Sequence, residues 1–88
     1  MKIKEGFILR EVAGSYVVVA VGSASLKFKG VIKLNESGAF LWKAIEKGAD
    51  TVEKLTTEML KEYNVEENIA KEDVLAFVNQ LKGANIIE

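Results

Sequence analysis

The 88-residue chain contains no cysteine, no histidine and no proline. Without cysteine there is no disulfide framework, no thiolate nucleophile and no zinc-thiolate site. Without histidine, the commonest metal ligand and the usual general base near neutral pH are both missing. Serines stand at positions 15, 23, 25 and 37 with no imidazole to activate them, and there is no G-x-x-x-x-G-K-[ST] phosphate loop and no G-x-G-x-x-G after a strand. The sequence therefore predicts a protein that is not an enzyme, with no catalytic residues, no cofactor and no metal. Long apolar runs are absent too. Residues 1–6 alternate charge and apolarity unlike a signal peptide, and no window approaches the ~18 apolar residues of a membrane span, so the expectation is a cytoplasmic protein without a membrane partner.

An excess of either charge is also lacking overall, with 12 basic and 13 acidic residues and a net charge of −1, which argues against nucleic acid as a partner. The distribution is more informative. Residues 1–34 hold Lys2, Lys4, Arg10, Lys27, Lys29 and Lys33 against Glu5 and Glu11, a net +4, whereas residues 35–88 hold six lysines against eleven acids, a net −5. At 49% hydrophobic and 28% charged, the chain has the make-up of one small globular domain over residues 1–88.

The hydrophobic period changes at the same boundary. Residues 7–12 (FILREV) and 16–21 (YVVVAV) are rich in β-branched and aromatic residues, and Ala13-Gly14-Ser15 reads as a tight hairpin connection between them. After the small polar turn Gly22-Ser23-Ala24-Ser25, a third strand is expected over 26–34, with Leu26, Phe28, Gly30, Ile32 and Leu34 on one face and Lys27, Lys29, Val31 and Lys33 on the other. From Asn35 the period is helical. Asn35 as N-cap and Gly48 as the residue past the C-cap bracket a helix over about 36–47 holding Phe40, Leu41, Trp42 and Ile45. Asp50 or Thr51 opens a second helix, ending near Asn64, whose stripe is Val52, Leu55, Met59, Leu60 and Tyr63. The third, about 66–82, buries Ala70, Val74, Phe77, Val78 and Leu81, with Gly83 ending it before the apolar tail Ile86-Ile87. Segregated strands and helices give an α+β fold, a winged helix-turn-helix-like domain with a three-stranded antiparallel sheet followed by three helices (βββααα).

Along Leu34-Asn35-Glu36-Ser37-Gly38-Ala39-Phe40-Leu41-Trp42 the sequence resembles the coenzyme PQQ synthesis protein D (PqqD-like) family. The resemblance continues through Thr51-Val52-Glu53-Lys54-Leu55, Leu60, Tyr63, Val65, Asp73-Val74, Phe77, Val78, Leu81, Ile86 and Ile87, and backwards through Phe7–Arg10 and Tyr16–Val19. One departure is the end of the first helix. Members serving pyrroloquinoline quinone synthesis carry an Asp-Gly pair there, where this chain has Glu46-Lys47-Gly48. The resemblance implies a recognition element for ribosomally made, post-translationally modified peptides. Such a module is a non-catalytic chaperone that binds the leader segment of a precursor peptide as an added strand, beside the third strand and the third helix, and presents it to a modifying enzyme, often a radical SAM protein.

The residues themselves offer a matching groove. An added strand needs a free sheet edge and pockets for alternate side chains, which the third strand supplies through Lys27, Lys29, Val31 and Lys33. On the third helix, Lys71, Leu75, Val78 and Lys82, spaced i, i+4, i+7, i+11, form a half-apolar, half-basic stripe suited to a groove wall. Lysines also occur on edge strands simply to block aggregation, and a wide apolar stripe is usual on a core-facing helix. Two other readings share the pattern. A winged-helix DNA-binding regulator would have to carry Glu66, Glu67, Glu72 and Asp73 towards phosphate, and a general protein-binding adaptor, or an edge-paired homodimer, would use the same edge.

Overall fold

The computed structural model describes residues 1–28 and 30–88. Its sheet is antiparallel in the order β1 (Phe7–Val12), β2 (Ser15–Ala20), β3 (Val31–Leu34), and three helices follow, α1 (Glu36–Glu46), α2 (Val52–Glu62) and α3 (Glu67–Gly83). This is the expected α+β, βββααα order. The β1–β2 register runs from Phe7 opposite Ala20 to Val12 opposite Ser15, which leaves Ala13-Gly14 as a two-residue loop. Both loop residues have positive φ, 51° and 80°, the twist that a two-residue hairpin favours.

The third strand is shorter than its alternation predicts. Gly22–Leu26 form a 3-10 helix, closed by Ser25 Oγ donating to the Gly22 carbonyl at 2.7 Å, and Lys27 caps it in a helical conformation. Glycines at positive φ, Gly22 at 62° and Gly30 at 97°, turn the chain at either end of this excursion. Phe28 then folds back edge-on against Phe7, ring centroids 5.3 Å apart, and Leu26 is left at the surface. Strand pairing begins only at Val31, opposite Val19, and ends at Leu34, opposite Tyr16. Lys27 therefore belongs to the turn rather than to the sheet edge, and Lys29 lies outside the described residues.

Helix ends follow local chemistry. Asn35 caps α1, its side-chain oxygen accepting from the Gly38 N–H at 2.8 Å, and Thr51 caps α2 by accepting from Lys54 N–H at 3.1 Å. Past α1, Gly48 takes the left-handed position while Gly48 N–H bonds Ile45 O and Ala49 N–H bonds Ala44 O, both at 3.0 Å. At the end of α3 the same pair of bonds forms two residues later than expected. Gly83 stays helical, Asn85 takes the left-handed position at φ 61°, and Ile86 N–H bonds Leu81 O at 2.9 Å.

Val18 and Leu34 from the sheet, Leu41, Trp42 and Ile45 from α1, Leu55 and Met59 from α2, and Ala70, Val74, Phe77, Val78 and Leu81 from α3 form one buried core with Ile86 and Ile87. Leu60, assigned to the α2 stripe from its spacing, is at the surface instead. No helix is long and apolar enough among the described residues to cross a membrane.

Candidate functional site

β3 is an edge strand. Among the described residues only β2 borders it in the sheet, so alternate residues of Val31–Leu34 turn their N–H and C=O groups outward. Beside that edge runs a cleft of about 440 Å³ whose strand-side wall is Lys33, Leu34, Asn35, Ser37 and Gly38 and whose other wall is Asp73, Ala76, Phe77 and Gln80 of α3, with Leu41 beneath. Its floor is apolar, because Leu34, Leu41 and Phe77 are core residues. Its rim is polar and carries opposite charges on the two sides, Lys33 on the strand and Asp73 on the helix. Among the described residues the ion pairs are Lys54–Asp50 at 3.0 Å and Lys61–Glu58 at 3.6 Å, so neither rim charge is neutralised within the chain.

The strand-to-helix corner fixes the cleft's geometry. Asn35 Oδ1 accepts from Ser37 Oγ at 3.1 Å as well as from the Gly38 N–H, and a Cβ on residue 38 would come within 3.1 Å of that oxygen and 3.4 Å of Leu34 Cβ. Glycine at 38 lets the first turn of α1 close down on the end of β3, and the turn delivers Leu41 to the floor.

Of the residues singled out from the sequence, the structure places Lys33 on the cleft and Val31 on the exposed edge strand. Val78 is in the core at 2% exposure and does not line the cleft, and its place in the i, i+4, i+7, i+11 stripe reflects core packing. Lys71, Leu75 and Lys82 are exposed, but on the flank of α3 across the buried stripe from the cleft. The residues on the cleft side, Asp73, Ala76, Phe77 and Gln80, are spaced i, i+3, i+4, i+7, which is an equally good helical stripe. The one available signal was Ala76, a small residue on a helix flank, which lets another backbone approach.

A larger groove of about 600 Å³ lies between α1 and α2, with Phe40, Ala44 and Ala49 among its lining and Lys43, Lys47, Glu53 and Lys54 around it. It borders no strand edge, and the chemistry of backbone pairing is at β3, so the smaller cleft is the candidate site. Away from that cleft, the fold shifts the titration of Asp50 and Tyr63. The Lys54 ammonium, hydrogen bonded at 3.0 Å, holds the Asp50 carboxyl below its ordinary value, and burial, reinforced by the nearby carboxylates of Glu36 and Glu62, pushes the Tyr63 phenol up.

The sequence model of the family described as coenzyme PQQ synthesis protein D (PqqD) matches residues 8–87. No curated protein matches the sequence. Two solved structures share the fold. TbiB1 in complex with the TbiA(beta) leader peptide is 19% identical with a TM-score of 0.79 over 100% of this chain and 95% of that one. A lasso peptide synthetase B1 complexed with the leader peptide is 20% identical with a TM-score of 0.73 over 98% of this chain and 93% of that one.

Proposed function

This chain belongs to the coenzyme PQQ synthesis protein D (PqqD) family, and on that premise we propose that it is a non-catalytic module that binds the leader segment of a ribosomally made precursor peptide and presents it to a peptide-modifying enzyme. One observation carries the reading. An unpaired strand edge, Val31–Leu34, lies along an apolar-floored cleft in a fold whose solved relatives are leader-peptide complexes. A peptide entering as a fourth strand would satisfy the outward N–H and C=O groups of β3. Because side chains alternate along a strand, every second peptide residue would descend onto Leu34, Leu41, Ala76 and Phe77, a floor suited to apolar side chains. The charge of Lys33 on the cleft rim, unpaired among the described residues, favours an acidic peptide residue beside it.

The DNA-binding alternative gains no support from the structure. The turns of α3 that would enter a groove carry Glu67, Glu72 and Asp73, all exposed and all repelled by phosphate. An amide NMR titration of the labelled chain with the leader of a precursor encoded near its gene tests the proposal. Shifts are expected at residues 31–38 and at Asp73, Ala76, Phe77 and Gln80. Silence there at millimolar peptide, for each neighbouring precursor, would overturn it.

A further inference from the structure

The leader site uses one edge of the sheet and leaves one of its faces unexplained. Strand parity sends Phe7, Leu9, Tyr16, Val18, Ile32 and Leu34 inward, and all six belong to or pack against the core. The alternate residues point the other way, and the register sets them in rows. Ile8, Val19 and Val31 make one row across the three strands, and Arg10, Val17 and Lys33 make the next. Val12 extends the face at one end. At the other, Val21 is held in extended backbone by its N–H bonding Gly6 O at 2.7 Å.

Three of these side chains are among the most exposed large apolar groups of the protein, with Val12 at 56%, Val21 at 40% and Val31 at 54%. The apolar row Ile8–Val19–Val31 with Val21 beyond it, lying beside a row that carries two charges and then Val12 opposite Ser15, has the mixed make-up of an interaction surface. Its charge has one sign. Arg10 and Lys33 are both exposed and flank Val17, and among the described residues no acid of the three strands shares the face, since Glu11 has the inward parity at the end of β1.

We propose that this face is the docking surface for the peptide-modifying enzyme, which meets it with an apolar patch bordered by carboxylates. The proposal rests on the leader-binding reading for the identity of its partner. Two arguments select that occupant over a second copy of the chain. Two copies related by a two-fold axis would set this basic face against another basic face, with no acid on either side to pair Arg10 and Lys33, whereas an acid-rimmed partner pairs them. The face is also continuous with the leader edge. Val31 and Lys33 form its last column, so a peptide added beside β3 continues both rows with its own outward side chains. An enzyme docked there touches protein and leader together, and the leader raises the enzyme's affinity. By linkage the enzyme raises the leader's affinity by the same factor.

The test uses the full chain, the synthetic leader and the purified peptide-modifying enzyme encoded in its gene neighbourhood as the probe. Arg10→Glu and Val12→Glu alter the sheet face at exposed positions outside the leader cleft, and Leu60→Glu is the control on the helical side. The two sheet-face variants are expected to weaken enzyme binding about tenfold or more, with the unfolding midpoint and the leader affinity, read by anisotropy of a labelled leader, close to wild type. Leu60→Glu should leave all three unchanged. Wild-type enzyme affinity in both sheet-face variants, or an equal loss in the control, overturns the proposal. So does a sheet-face variant that abolishes self-association in sedimentation while enzyme binding persists, which assigns the face to a second copy. Failure of the leader to bind any variant or the wild type sinks the leader reading alone, because docking is then judged on the enzyme affinities without peptide.

Discussion

Gly6 sits at φ 95°, where a side chain is strained, and a Cβ there would lie 2.6 Å from Ala24 Cβ and 3.1 Å from the Val21 carbonyl. Neither neighbour is the free end of a flexible side chain. Gly6→Ala is therefore expected to cost more than about 1 kcal/mol, the strain and the clash acting together, seen as a lower denaturant midpoint in the fluorescence of Trp42, the single and fully buried tryptophan. Ala13 is the opposite case, an alanine at φ 51° in a two-residue hairpin loop that favours asparagine. Ala13→Asn should raise the midpoint by the equivalent of roughly 0.5–1 kcal/mol, since asparagine tolerates the left-handed region that costs alanine about 1–2. Tyr63 carries a pH signature. The fold keeps its phenol protonated above the ordinary value of 10.0, so from about pH 10 upwards the unfolded chain loses a proton that the folded chain retains, and stability falls as pH rises towards the folded pKa. Tyr63→Phe removes that contribution. Denaturation at pH 9 and pH 11 should show a smaller alkaline loss for the variant, and equal losses would exclude burial of this phenol as a source.

At the level of elements, the cleft depends on which flank of α3 faces β3, and Ala76 is the residue that keeps the gap open. Ala76→Trp places an indole at an exposed position over Phe77 and Leu41, filling the space a peptide side chain needs. Leader affinity should fall at least about tenfold while the thermal midpoint stays near wild type, and unchanged affinity by anisotropy would move the peptide away from this cleft. The same geometry marks where sequence reading stopped. Buried stripes were legible because spacing alone defines them, as in Ala70, Val74, Phe77 and Leu81, and so were the caps at Asn35, Gly48 and Thr51, which depend on local bonds. Either flank of the α3 stripe has helical spacing, however, and the choice between Lys71-Leu75-Lys82 and Asp73-Ala76-Gln80 is made by how the helix packs in three dimensions. Periodicity carries no information about that. The alternation of residues 26–34 likewise looked like one long strand, but the paired glycines 22 and 30 and the Phe28–Phe7 contact draw its first half out of the sheet. The edge itself, Val31 and Lys33, was legible because parity survives in the four residues that do pair.

At the scale of the whole fold, residues 1–4 are tied to the segment after α3 and to the turn before α2. Ile3 bridges Ile87, Lys4 N–H bonds Ile86 O at 2.8 Å, and Glu88 N–H bonds Lys2 O at 2.9 Å, while the terminal ammonium of Met1 donates to Asp50 O at 2.7 Å before α2. These bonds make the segment after α3 a structural part of the core, with Ile86 at 0% and Ile87 at 5% exposure. A small domain has few such residues, so each weighs heavily. Ile86→Ala is expected to cost about 2–5 kcal/mol, against a total of roughly 5–15 for a typical domain. The site should feel this loss as well. The Ile86 side chain is packed in the core with Leu81 of α3, and α3 supplies one wall of the cleft beside β3, so the cavity left by its truncation loosens that wall relative to β3. Ile86→Ala should therefore weaken leader binding in the population that remains folded, and adding leader should raise its unfolding midpoint less than that of wild type at equal peptide concentration. Equal stabilisation of both proteins by the leader would show that the cleft holds its shape without the full Ile86 side chain, and would confine the role of Ile86 to the stability of the core.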